Sequence, residues 1–250
     1  MKYLNSYHIF ESLNQNLSEE QIDFINKYTS GTWEVDLKTG LVNIKGDFNF
    51  EHKGLNDMKG IKFGTVEGNF NCNGNRLTTL EGSPRNVEGD FKCCANNLTN
   101  LDGGPLEVKK DFFCFTNYLT TLRGSPHTVG GDFFCSENKL TDLYGSPRII
   151  GGSFACNKNY LTSLEGSPER VGSGFSFSNN KGVNSHTLES IWIKMYWLGI
   201  NYKRAVESVW KDLPAVDKGM LYSPDFLWLD EKERKVMKAL QNYYKIKDML

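Results

Sequence analysis

The sequence predicts an α+β repeat fold: a short solenoid with one strand and one return path per coil, capped by a helix and hairpin in front and a helical bundle behind. Three observations carry this. Phe and a small apolar residue recur two apart at Phe70/Cys72, Phe91/Cys93, Phe112/Cys114, Phe133/Cys135 and Phe154/Cys156, a period of 21 residues, and Phe175/Phe177 closes the series. Each copy continues into an Asn and, except in the last, a Leu. A unit this short holds one strand and one return path, so it cannot bury its own apolar face and must be stabilised by its neighbours.

Residues 1–45 read as a tail followed by a cap. Residues 1–16 contain Tyr7-His8-Ile9-Phe10 and are either a flexible tail or a docking peptide. Ser18 is placed as an N-cap with Gln21 as its capping-box partner and Leu17 as a staple against Ile22, which predicts a helix over 19–28. Trp33 to Leu37 alternates with period two, Lys38-Thr39-Gly40 is turn chemistry and Leu41 to Ile44 supplies a return strand.

The array spans residues 46–183, with Gly46-Asp47-Phe48-Asn49-Phe50 as a degenerate first copy set 22 residues before the next. Because side chains alternate along a strand, the Phe and Cys of each F-x-C point inward and the residues around them point out. The Asn at 75, 96, 117, 138, 159 and 180 is expected to bond backbone groups released at the turn. Gly-Ser-Pro, as in Gly82-Ser83-Pro84, supplies a turn glycine and a fixed φ, and the Pro is expected to deny the opposite side a second strand. From residue 184 to 250 the period becomes helical: Leu188, Ile191, Trp192, Met195 and Leu198 share one face, and Asp230 and Glu233 form a capping box for a last helix. This predicts a helical bundle covering the second open end.

The repeat V-x-G-D-F-x-C-x-x-N-x-L-T-x-L-x-G-S-P resembles the leucine-rich repeat family, whose L-x-L-x-x-N-x-L core maps onto Phe91-x-Cys93-x-x-Asn96-x-Leu98 and its copies. Its wording is similar to a subgroup common in large bacteriophages. The resemblance covers residues 46–183 and implies a short curved, leucine-rich-repeat-like solenoid with a parallel β-sheet on its concave face, used for protein recognition. It departs from the family in replacing leucines by Phe and Cys, and it implies no activity for the helical region.

A net charge of −1 gives no field that would draw the chain to nucleic acid or an anionic membrane. No apolar run approaches the length of a membrane span. Five cysteines share one repeat position and Cys94 lies one residue out of phase. No pair has C-x-x-C spacing, so they read as small reduced core residues in a reducing, cytoplasmic setting, in the host cell or in a virion for a phage product.

The outward positions form triplets, among them Asp90/Lys92/Cys94, Asp111/Phe113/Phe115, Asp132/Phe134/Ser136 and Ser153/Ala155/Asn157. Phe113, Phe115 and Phe134, with Tyr118 and Tyr160 close by, make an aromatic patch of the kind that anchors a partner. A terminal segment or a second copy of the chain is the other way to cover it. Asp111 and Asp132 border the patch and join the candidate binding residues. Stacked on Asp90 they would repel, so each is expected to bond backbone at the start of its strand.

Four scattered histidines, with no H-E-x-x-H and no G-K-[ST], exclude the common hydrolase and nucleotide motifs. The lysines of the last helix are offset by Glu231, Glu233 and Asp248. The expectation is a protein without enzymatic activity or cofactor that binds a protein partner, or self-associates, through the aromatic patch. The alternative is a structural or assembly component of a phage particle that binds through its terminal segments.

Overall fold

The computed structural model describes residues 17–180 apart from 163, 165 and 178. The segment 1–16 and the expected C-terminal helices lie outside the described residues. Helix α1 (Glu19–Tyr28) starts as its capping box requires. The Gln21 N–H donates to Ser18 Oγ at 3.2 Å, and the Ser18 N–H donates to Gln21 Oε1 at 2.9 Å. The hairpin β1 (Thr32–Val35) and β2 (Val42–Lys45) is antiparallel, and Trp33 Nε1 ties it to the helix by donating to Asn26 Oδ1.

After the hairpin the chain alternates between two short strands per coil: β3 (Phe48–Asn49), β4 (Phe63–Val66), β5 (Phe70–Asn71), β6 (Asn86–Val87), β7 (Phe91–Lys92), β8 (Glu107–Val108), β9 (Phe112–Phe113), β10 (Thr128–Val129), β11 (Phe133–Phe134), β12 (Ile149–Ile150), β13 (Phe154–Ala155), β14 (Arg170–Val171) and β15 (Phe175–Ser176). The odd strands from β3 onward form a seven-stranded parallel sheet, here the Phe sheet. β1, β2 and the even strands form an eight-stranded second sheet, the Val sheet. The array is therefore a β-solenoid with a 21-residue period and two sheets.

The second sheet overturns the expectation that proline forbids one. Each Pro sits two residues before the strand, at a corner, so its missing N–H is not needed there. Pairing begins at the very next residue: Arg85 N–H donates to Gly64 O, and the same bond recurs from Leu106, His127, Arg148 and Glu169 to the coil before. The Val of each V-x-G-D is then the inward residue of this sheet, as at Val87, Val108 and Val129.

Between the sheets runs a column of phenylalanines. Phe48, Phe70, Phe91, Phe112, Phe133, Phe154 and Phe175 follow one another with ring centroids 5.0–5.8 Å apart, most of them stacked nearly parallel. That spacing is close to the separation of adjacent strands, so in-register pairing and ring stacking reinforce each other. Leucines from the return path, such as Leu98 and Leu101, fill the rest of the core. At the front, Phe24 of α1 meets Phe48 and Phe50 edge-on at 5.7 and 5.5 Å, so the helix closes the column as expected. The 22-residue first spacing is absorbed by a bulge in β4: Val42 pairs with Phe63, but Ile44 pairs with Val66, one residue later.

The Asn row is a buried staple between coils. Asn117 Nδ2 donates to the carbonyls of Cys93 on the previous coil and of Cys114 and Phe115 on its own, while its Oδ1 accepts from the N–H of Asn96 and Leu98. Asn96, Asn138 and Asn159 repeat the three donations, and the Oδ1 of each accepts from the Leu N–H of the coil before. The residue before each Asn from coil to coil, Gly74, Ala95, Thr116, Glu137, Lys158 and Asn179, has φ between 52° and 64° to turn the side chain inward. Only Gly74 has this conformation without steric cost. The Gly of Gly-Ser-Pro is needed twice over: Gly124 has φ of 90°, and a Cβ there would stand 2.2 Å from the Leu101 carbonyl carbon.

Two outcomes test this architecture by thermal or denaturant unfolding. Asn117→Ala leaves buried N–H and C=O groups unpaired and is expected to cost about 3 kcal/mol; a loss below about 1 kcal/mol contradicts the staple. Thr116→Gly relieves a β-branched residue in the left-handed region and is expected to raise stability by about 1 kcal/mol.

Candidate functional site

The outward face of the Phe sheet is ruled into rows, because identical positions on successive coils stack in register. The middle row reads Asn49, Asn71, Lys92, Phe113, Phe134, Ala155 and Ser176. Strand pairing thus places Phe113 directly beside Phe134. Their centroids are 5.5 Å apart at 71°, and Phe115, two residues along the same chain, meets Phe113 at 6.4 Å and 82°. Both are edge-to-face contacts, favourable for ring quadrupoles. Phe115 remains 37% exposed, whereas Phe113 and Phe134 are half-buried by each other and by their neighbours.

Tyr118 and Tyr160 lie in a different row, beyond the left-handed corner, with Lys139 between them in coil order. Tyr118 is half exposed, and Lys139 Nζ stands 4.7 Å from its ring centroid. Ring contacts join Phe113 to both Phe115 and Phe134, and Tyr118 is joined to Lys139.

Asp111 and Asp132 stand at the opposite edge of the patch, and their first role is in the backbone. Asp111 Oδ1 accepts the Asp132 N–H at 2.7 Å, and Asp132 Oδ1 accepts the Ser153 N–H at 2.6 Å. Asp47, Asn69 and Asp90 make the same bond, each to the coil that follows. The partner is thus the equivalent residue one coil on, where the sequence alone suggested backbone at the residue's own strand. An Asn does this work in one coil, so the bond itself needs no charge.

Lys92 is the contact that the sequence did not single out. Its Nζ pairs with Asp90 at 3.2 Å and stands 5.6 Å from the Phe113 ring centroid. The outward triplets contain both residues, but only the pairing of β7 with β9 shows that the lysine leans onto the ring of the next coil. Exposed Leu106, Tyr144 and Ile149 lie away from this face, on the return path and the Val sheet.

Cys94 departs from its place in the outward triplet: it is buried, yet it is not part of the core between the sheets. It occupies the outer row between Asn73 and Phe115, and its N–H donates to Asn73 Oδ1 at 2.6 Å. Burial pushes its thiol up to about 12 and drives those of Cys72, Cys93, Cys114, Cys135 and Cys156 well above the ordinary thiol range. All six are free, and Cys72, Cys93 and Cys114 donate weakly to carbonyls of the next coil. Among the described residues no group of His, Cys, Asp and Glu is arranged to hold a metal ion, and no helix is long and apolar enough to cross a membrane.

Known family models, curated proteins and solved structures give no match to this chain.

The thiols give a direct check on burial. At pH 8 the native protein is expected to resist a disulfide-exchange reagent such as dithionitrobenzoate, and in guanidinium all six thiols should react. The folded thiols hold their protons where unfolded ones lose them, so stability should fall as pH rises above about 8.5. Rapid native labelling contradicts this packing.

Proposed function

We propose that this chain is a non-enzymatic binding module that captures a protein partner on the outward face of its Phe sheet. Phe113, Phe115 and Phe134 are the anchors, with Tyr118, Tyr160, Asp111 and Asp132 around them. One observation carries this reading. Three rings, with Phe113 in edge contact with both Phe115 and Phe134, occupy surface positions that the fold does not need to fill with rings, since Asn71, Ala155 and Ser176 hold the equivalent places of Phe113 and Phe134 on other coils. Clustered, partly exposed aromatics on a rigid surface are the usual material of binding hot spots.

The F-x-C-x-x-N-x-L wording supports reading the array as a variant leucine-rich repeat of the type carried by large bacteriophages. Six unpaired, buried thiols support residence in a reducing compartment such as the cytoplasm.

The test is the double variant Phe113→Ser with Phe134→Ser. It is expected to melt as the parent does, because both positions tolerate small or polar residues elsewhere in the array, and to lose capture of its partner from lysate by at least about thirtyfold. Unchanged capture by a folded variant contradicts the proposal.

A further inference from the structure

Resting on that reading, we infer that the face carries a socket for a cationic side chain of the partner, an arginine, seated beside Phe134 and facing Asp132. The Phe113–Phe134 pair has two flanks. On the flank toward the front of the solenoid, the chain supplies its own cation: Lys92 stands over Phe113 and is held by Asp90, which immediately precedes β7. On the other flank the middle row drops from Phe134 to Ala155 and Ser176. This drop leaves a hollow of about 280 Å³, walled by Phe134 and lined by Ser153, Ala155, Gly174 and Ser176. Small-molecule sites generally occupy about 300–1,000 Å³, so the hollow is of a size for a single inserted side chain.

The charge around the hollow selects which side chain. Asp132 precedes Phe134 by two residues on the same outward face, and among the described residues the ion pairs assign it no lysine or arginine. One oxygen is committed to the Ser153 N–H, which fixes the carboxylate in place. The corner behind it is Gly130-Gly131, and the next coil's is Gly151-Gly152, so no side chain of these corners screens the approach. At Asp111, in contrast, the corner is Lys109-Lys110. A guanidinium in the hollow lies flat on the Phe134 ring and reaches the carboxylate with its N–H fork, a combination an ammonium makes less well. The result brings together the same three kinds of group as Lys92, Asp90 and Phe113 on the other flank, with the carboxylate here on the coil of the ring and not on that of the cation.

Two substitutions separate the terms. Asp132→Asn removes the charge and keeps the backbone bond, as Asn69 does naturally at the equivalent position. Ala155→Leu fills the hollow and leaves every charge unchanged. A random dodecapeptide library is selected on the immobilised full chain, and the recovered peptides are synthesised and titrated. The expected result is arginine at a fixed spacing from an apolar residue, binding weakened about tenfold or more by Asp132→Asn and by Ala155→Leu, and melting temperatures unchanged. Failure to recover any arginine-bearing binder overturns the inference, as does equal binding of such peptides to either variant. Peptides without a cation that are still lost in the Phe113→Ser/Phe134→Ser protein would overturn the socket while leaving partner capture standing.

Discussion

An N–H on one coil of this protein finds its acceptor at the same angular position on the coil beside it, so the whole structure depends on keeping successive coils in register. The backbone ladders of the two sheets, the Asn staples and the Asp bonds all connect residues about one repeat apart in sequence. A polar group buried without a partner costs more than an ordinary contact contributes, so a slip at one position would orphan groups along every ladder at once. The phenylalanine column adds an apolar penalty to the same error, because its rings stack only when the strands pair in register. The one irregular spacing, between the first two coils, is accommodated by a bulge where the chain passes Gly64, and not by a shift of the Phe sheet.

Register also determines what the surface can present. A face assembled from identical positions of a repeat would show the same residue in every coil, and the Asn staple is such a row. Rows that vary are free to carry recognition. In the middle outward row the residues change from Asn71 to Lys92, Phe113, Phe134 and Ala155, while the buried rows on either side hold Phe and Cys throughout. A cation, two rings and a hollow thus arise side by side from residues 21 apart in sequence, on a backbone already fixed by interior contacts. This is pre-organisation in the physical sense: binding there orders few groups that folding has not already ordered.

Much of this was legible before any coordinates. The capping box at Ser18 and Gln21 gives the start of α1, and the F-x-C alternation separates the buried rings from Phe113, Phe115 and Phe134. What the sequence concealed were relations between coils. Proline at each corner suggests an obstacle to a second sheet, but its position one residue ahead of the ladder makes it harmless. The acceptors for Asp111 and Asp132, and the lean of Lys92 onto Phe113, follow from which strand lies beside which. Cys94 looked outward by alternation, and it is the larger neighbours in its row that bury it. Alternation reports the direction of a side chain, whereas burial on a surface depends on what the adjacent coils place around it.

If register is the controlling constraint, the array should accept the removal of a whole coil and reject the removal of part of one. Excising residues 91–111 joins Asp90 to Phe112 and shortens the solenoid by one 21-residue repeat, leaving all remaining positions in phase. The expected result is a folded protein with a β-rich circular dichroism spectrum and a sharp, somewhat lowered melting transition. Excising residues 91–100 instead should abolish that transition. Loss of folding on removal of the full repeat, or a cooperative fold that survives the half-repeat deletion, would contradict this account.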